Sequence, residues 1–172
     1  MDTAHEAELV ESIERARAIV AAAGTVAVLT GAGISTAAGI PDFRGPDGLW
    51  TRHPGAEKMA TISYYMEDAD IRRAAWRRRV QLFGSSPQPT AGHRALVDFE
   101  QRGSLIGLAT QNVDGLHHLA GSDPSLVHEV HGTLRVAHCI TCRTEWPIDD
   151  LLNRVRVGDD DPSCTECGGI MK

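Results

Sequence analysis

An α/β fold, a parallel sheet carrying a small metal-stapled module, follows from three observations on this 172-residue chain. Residues 4–23 have helical period, with Leu9, Ile13, Ala16 and Val20 on one face and charges opposite. They run into TVAVLT (25–30), a short Val-rich run of the kind buried in parallel sheets, and then into a glycine loop. Far downstream, Cys139 and Cys142 form one C-x-x-C, and Cys164 and Cys167 form a second. Helix, strand and loop in that order place a ligand at the carboxyl end of the strand.

The remaining elements extend this plan. Gly24 is placed to end the first helix. After the glycine loop, 46–55 is rich in turn residues, and 66–83 reads as a helix with five arginines. A further helix over 90–101 is stopped by Gly103 and leads into LIGLAT (105–110), a second strand. QNVDGLHH (111–118) therefore lies just past a strand end, as the glycine loop does, and 127–130 makes a short third strand. Two polar loops at two strand ends are the ingredients of one crevice. From Cys139 onward large apolar residues are few and an acidic run, Asp159 to Asp161, appears, so this segment calls for a staple. The division expected is a Rossmann-like part over 1–135, with a helical insertion at about 46–90, and a small zinc-binding module over 136–172.

Composition narrows the partners. With 42% hydrophobic and 23% charged residues the chain has the make-up of a soluble globular protein. A net charge of −6 argues against bulk binding to nucleic acid or anionic membrane. Residues 18–41 carry no charge, but four glycines and a change of period explain that stretch better than a membrane span. The N-terminus is acidic and helical, unlike a secretory signal, and a cytoplasmic location is expected. The arginines of IRRAAWRRRV alternate with Trp76, Val80 and Phe83, the pattern of a solvated basic helix with one buried face.

Two thiolates three positions apart can reach one ion, and a second pair completes a tetrahedron. With 21 residues between the pairs, Cys139, Cys142, Cys164 and Cys167 read as a closed structural zinc site; redox dithiols are the competing reading. The glycine loop is less specific. Gly31 and Gly33 allow backbone to approach a pyrophosphate, yet Thr36 stands where G-x-G-x-x-G requires its third glycine. A plain turn is the competitor, but Asp42, Phe43 and Arg44 bring an acid, a ring and a fixed cation into the same loop. Gln111, Asn112 and Asp114 can bind ribose hydroxyls or a carboxamide, and can equally be turn and cap residues. His131 has the titration range of a general base, but its spacing does not single it out from the other histidines.

In combination, GAGISTAAGIPDFRGPDGLW, TQNVDGLH, HEVHG and the paired C-x-x-C resemble the sirtuin family, the NAD-dependent protein lysine deacylases, in the family's order from about residue 18 onward. The resemblance implies that Gly31, Ala32, Gly33 and Ser35 hold the NAD pyrophosphate and the neighbouring ribose. It implies that Asp42, Phe43 and Arg44 belong to a mobile cofactor loop, with Phe43 near the nicotinamide. Gln111, Asn112 and Asp114 would line the pocket for nicotinamide and its ribose, Asn112 and Asp114 joining His131, the general base, in catalysis. Zinc would be structural and NAD a consumed co-substrate, with acyl-lysine proteins as partners. Acyl oxygen attacks the ribose carbon as nicotinamide leaves, giving free lysine, nicotinamide and acyl-ADP-ribose.

Two departures qualify the resemblance. The sequence ends at GGIMK, where family members continue with more of the sheet, the adenine-side contacts and the peptide clamp, so little or no activity is expected of this chain alone. Members preferring acidic acyl groups carry Tyr-x-x-Arg where Trp76 and Arg79 stand here, which leaves the acyl preference open. Mono-ADP-ribosyl transfer and a non-catalytic zinc-bearing binding module are the alternatives.

Overall fold

The computed structural model describes residues 3–172. α1 (Thr3–Ala22) leads to β1 (Val26–Thr30), a 3₁₀ turn (Ala32–Ala38) and the short α2 (Leu49–Arg52). A second 3₁₀ turn (Ala56–Ala60) precedes α3 (Ile62–Glu67) and α4 (Ala69–Gly84). α5 (Ala91–Gln101), β2 (Leu105–Thr110), α6 (Leu116–Ala120) and β3 (Val127–Glu129) complete the sheet region. β4 (Val136–His138), β5 (Glu145–Pro147) and α7 (Ile148–Arg156) belong to the cysteine-bearing segment.

β1, β2 and β3 form a parallel sheet in that order, with Thr30 opposite Thr110 and Thr110 opposite Glu129. The expected α/β architecture is therefore present. One face is buried: Leu105, Leu108 and Val127 pack with Val28 and Leu96, the last contributed by α5. Thr90 caps α5, its hydroxyl facing the His93 amide, and Gly103 takes the left-handed φ of 73° that ends the connection. On the other face Leu29 and Ile106 remain 67% and 61% exposed.

Two helix expectations change. The 66–83 helix is broken at Asp68, whose carboxylate accepts from the Asp70 and Ile71 amides and starts α4 afresh. α1 forms where its period places it, but residues 5–25 are all exposed, including Leu9, Ile13 and Val20. Among the described residues nothing covers that apolar stripe. Periodicity reports which face a helix can bury; it does not supply the partner.

The cysteine-bearing segment also has more core than its composition promised. Ala137, Ile148, Leu151, Leu152 and Met171 pack around Trp76 of α4, with Val80, Phe83, Trp146 and Val155 against them. Trp76 is fully buried, so the apolar face of the arginine helix is committed to this cluster. The charges pair off at its margin. Arg72 donates from Nε to both carboxylate oxygens of Asp161 at 3.0 Å, and Arg73 meets Asp160 and Asp70. The start of the basic helix and the acidic run are thus partners.

Candidate active site and metal centre

Parallel pairing sends the loops after β1, β2 and β3 out along one edge of the sheet. After β1, Gly31 is extended and the chain turns through Ala32–Ala38, a tight 3₁₀ turn in place of an α-helix. A Cβ on Gly33 would meet nothing within 4 Å, and one on Gly31 only Gln111 Oε1 at 3.7 Å. Neither residue has a positive φ. Among the described residues nothing requires glycine there, and the bare backbone leaves room for a group that approaches from outside.

The loop after β2 is tied to this turn from below. Ser35, fully buried, donates from Oγ to Asp114 Oδ2 at 2.7 Å. Asn112 Nδ2 donates to Ser35 Oγ at 3.1 Å and to the Gly31 carbonyl at 3.2 Å. The other Asp114 oxygen accepts from the Leu116 amide at 2.9 Å and so starts α6. One Asp114 oxygen thus serves the turn before α6 and the other holds Ser35. Gln111 extends the ladder through its amide to the Thr30 carbonyl, with an exposed side chain beside Gly31.

After β3, the Val130 amide donates to the Thr110 carbonyl and the Gly132 amide to Glu129, a turn that leaves His131 exposed on the same edge. An open cleft of about 480 Å³ lies beside Asp114, lined among others by Leu82, Phe83, Leu116, Leu119 and Arg135.

Asp42, Phe43 and Arg44 sit apart, in a clasp of their own. The Leu49 amide donates to the Asp42 carbonyl at 2.7 Å, and the Trp50 amide to the Phe43 carbonyl at 3.0 Å. The Phe43 ring lies 5.0 Å from that of Trp50, and the Arg44 guanidinium 4.7 Å above it. Gly48 has an internal reason to be glycine, since a Cβ would lie 2.7 Å from the Arg44 amide nitrogen. Among the described residues no hydrogen bond joins this clasp to Ser35, Asn112 or Asp114.

The four cysteine sulfurs lie within 4.8 Å of one another, with Cys139–Cys167 at 3.5 Å and Cys142–Cys164 at 3.7 Å. A tetrahedral zinc with bonds of about 2.3 Å sets its sulfurs about 3.8 Å apart, so the residues fit that ion. Four thiolates close the coordination shell and leave it no catalytic position.

Arg79 is used internally. Its guanidinium stacks 4.3 Å over Trp76 and donates to Tyr65 Oη at 3.3 Å, and that hydroxyl in turn donates to the Met171 carbonyl. Trp76 and Arg79 therefore serve packing in this structure. Sequence reading missed Thr30 and His93 and left His117 among the histidines competing with His131; all three lie buried beside the glycine turn. A histidine in an apolar helical pattern carries no mark of its own.

Known proteins place this geometry. The Sir2 family model matches residues 31–172. NAD-dependent protein deacetylase 2 of Streptomyces coelicolor is 50% identical over 147 residues, covering 86% of this chain and 61% of its own length. One solved Sir2 enzyme superposes with a TM-score of 0.81 at 33% identity, over 94% of this chain and 62% of its own. Another, a Sir2 with a deacetylated p53 peptide and 3'-O-acetyl-ADP-ribose, gives a TM-score of 0.80 at 26% identity, over 93% and 63%. The chain thus spans about three-fifths of the length of these relatives, and it belongs to the Sir2, or sirtuin, family.

Proposed function

We propose that this chain carries the catalytic core of an NAD-dependent protein lysine deacylase. The observation that carries the reading is the network of Ser35, Asn112 and Asp114, which locks two strand-end loops beneath the bare Gly31–Gly33 backbone. Those loops, with His131 on the third, converge where a dinucleotide would lie along the sheet edge. The Streptomyces relative is named for this activity, and the p53-peptide complex holds a product of it.

Each residue has a task in this reading. The Gly31, Ala32 and Gly33 backbone receives the pyrophosphate, and Ser35 holds Asp114 in place while Asn112 braces the Gly31 carbonyl. Gln111, Asn112 and Asp114 would line the pocket for nicotinamide and its ribose. Asp42, Phe43 and Arg44 would contribute the cofactor loop, with Phe43 near the nicotinamide. His131, exposed just past β3, would take the proton from a ribose hydroxyl. When bound, NAD supplies an electrophilic ribose carbon with nicotinamide as leaving group. Cys139, Cys142, Cys164 and Cys167 hold structural zinc, and acyl-lysine proteins are the substrates.

The test is a chimera that joins this chain to the C-terminal part of the Streptomyces relative, incubated with NAD and acetyl-lysine peptide. Mass spectrometry should show acetyl loss from the peptide and acetyl-ADP-ribose as product. Gain of ADP-ribose on protein would replace the reading with transfer, and intact NAD would replace it with a binding module. The His131→Ala chimera should turn over at least about a hundredfold more slowly, the usual contribution of a positioned base; unchanged turnover removes that assignment.

A further inference from the structure

His93 and His117 are 0% and 2% exposed, and their rings lie 4.7 Å apart, tilted by 58°. Each has one nitrogen bonded to a threonine and one with no partner among the described residues: Nε2 of His93 and Nδ1 of His117. Buried imidazole nitrogens without partners call for an explanation.

The threonines supply it. Thr90 Oγ1 shares its one proton between the Ile34 carbonyl at 2.9 Å and His93 Nδ1 at 2.8 Å. The Thr90 backbone N–H also donates to His93 Nδ1 at 3.2 Å, closing the capping box of α5, so that nitrogen is the ring's lone pair. His93 Nε2 therefore carries the ring proton. An acceptor for it is available in the facing ring if His117 Nδ1 is the lone pair, which leaves His117 Nε2 to donate to the Thr30 hydroxyl oxygen at 2.8 Å. Every donor then meets an acceptor, in one direction.

We propose that His117 and His93 are positioning residues, a neutral imidazole pair that strings Thr30 to Ile34 and so clamps both ends of the glycine turn. The link from His93 Nε2–H to His117 Nδ1 is direct or passes through one bridging water. The chain runs from Thr30, the residue before Gly31, to the carbonyl of Ile34, the residue before Ser35, and the phosphate-binding segment of the proposed site lies between. Neither ring touches the crevice. The role rests on the proposed NAD site, but the pair is defined without it.

Charge would break the chain, because a protonated ring has no lone pair to offer. Burial, with His93 adding to it and Asp114 opposing, pulls His117 down to about 4. Burial likewise lowers His93, against Asp114 and with Arg94. His118, the remaining titratable neighbour, also acts to lower His117.

Nitrogen-15 NMR of the imidazoles in the 172-residue chain at pH 7 tests the pair directly. Both rings should be neutral and protonated on Nε2; an Nδ1–H or doubly protonated form of either overturns the proposal. His117→Phe should speed amide exchange at residues 32–35 and weaken ADP-ribose binding about tenfold, the value of one buried hydrogen bond. His117→Gln, whose amide nitrogen can still donate to Thr30, should stay within about threefold of wild type. Equal exchange and equal affinity in the Phe variant would remove the positioning role. If wild type binds no ADP-ribose, the NAD reading falls, while the tautomers and the exchange rates still decide the clamp.

Discussion

Gly33→Ala separates folding from binding. Ordinary core glycines resist substitution because a side chain would collide or φ is positive; Gly33 has neither constraint, with no atom within 4 Å of the added carbon. The fold should therefore tolerate the change, and lost freedom in the unfolded chain should add about 0.4–1 kcal/mol of stability. The new methyl occupies the side from which a phosphate would approach. Displacing that phosphate by about 1 Å takes a hydrogen bond of ~2.9 Å beyond effective range and forfeits one charge-assisted bond, about 1.5–3 kcal/mol. Titration calorimetry with ADP-ribose should show affinity reduced by about 10- to 150-fold, alongside an unchanged or raised urea midpoint. Unchanged affinity would mean that the open face of Gly33 is not where the nucleotide lies. A collapsed midpoint would mean that the glycine is structural after all.

Trp76→Ala removes a fully buried ring shared by α4 and the cysteine-bearing segment, and urea unfolding should show a loss of about 3–5 kcal/mol. Chelating zinc should red-shift the emission of Trp76 and Trp146, which pack beside Cys139 and Cys164, and elemental analysis should return one zinc per chain. Stability should fall as pH drops from about 6.5 toward 4. His117 is held neutral in the fold to about 4 but takes a proton near 6.5 once unfolded, so the unfolded chain binds more protons across that window. Urea midpoints at pH 7, 6 and 5 should show a shallower decline for His117→Gln than for wild type.

Much of this was legible because it is periodic or local. The apolar runs TVAVLT and LIGLAT became β1 and β2, and a shorter third run became β3, because alternating and continuous apolar runs report strand burial whatever lies around them. The paired cysteines read as one site because their spacing is itself the geometry of a metal knuckle. What sequence could not show was long-range pairing. That Arg72 would meet Asp161, 89 residues away, or that Trp76 would fill the core beside Cys139, depends on tertiary contact that neither residue type announces. The Asp68 break was readable as an N-cap but was outweighed by helical period on both sides. α7 escaped notice because its apolar set, Ile148, Leu151 and Leu152, is short and lies among acids. Resemblance to a family supplied the roles of His131 and of the two loops, and the structure adds why the loops stay together: Ser35, Asn112 and Asp114 bond across 77 to 79 residues of sequence.

The central claim is that three strand-end loops form one nucleotide site. Amide chemical-shift mapping of the 172-residue chain with ADP-ribose tests it without requiring turnover. The account predicts saturable shifts concentrated at residues 31–35, 111–115 and 131–132, with the 42–50 clasp following. Saturable shifts confined to another surface, or none at millimolar ligand, would contradict it.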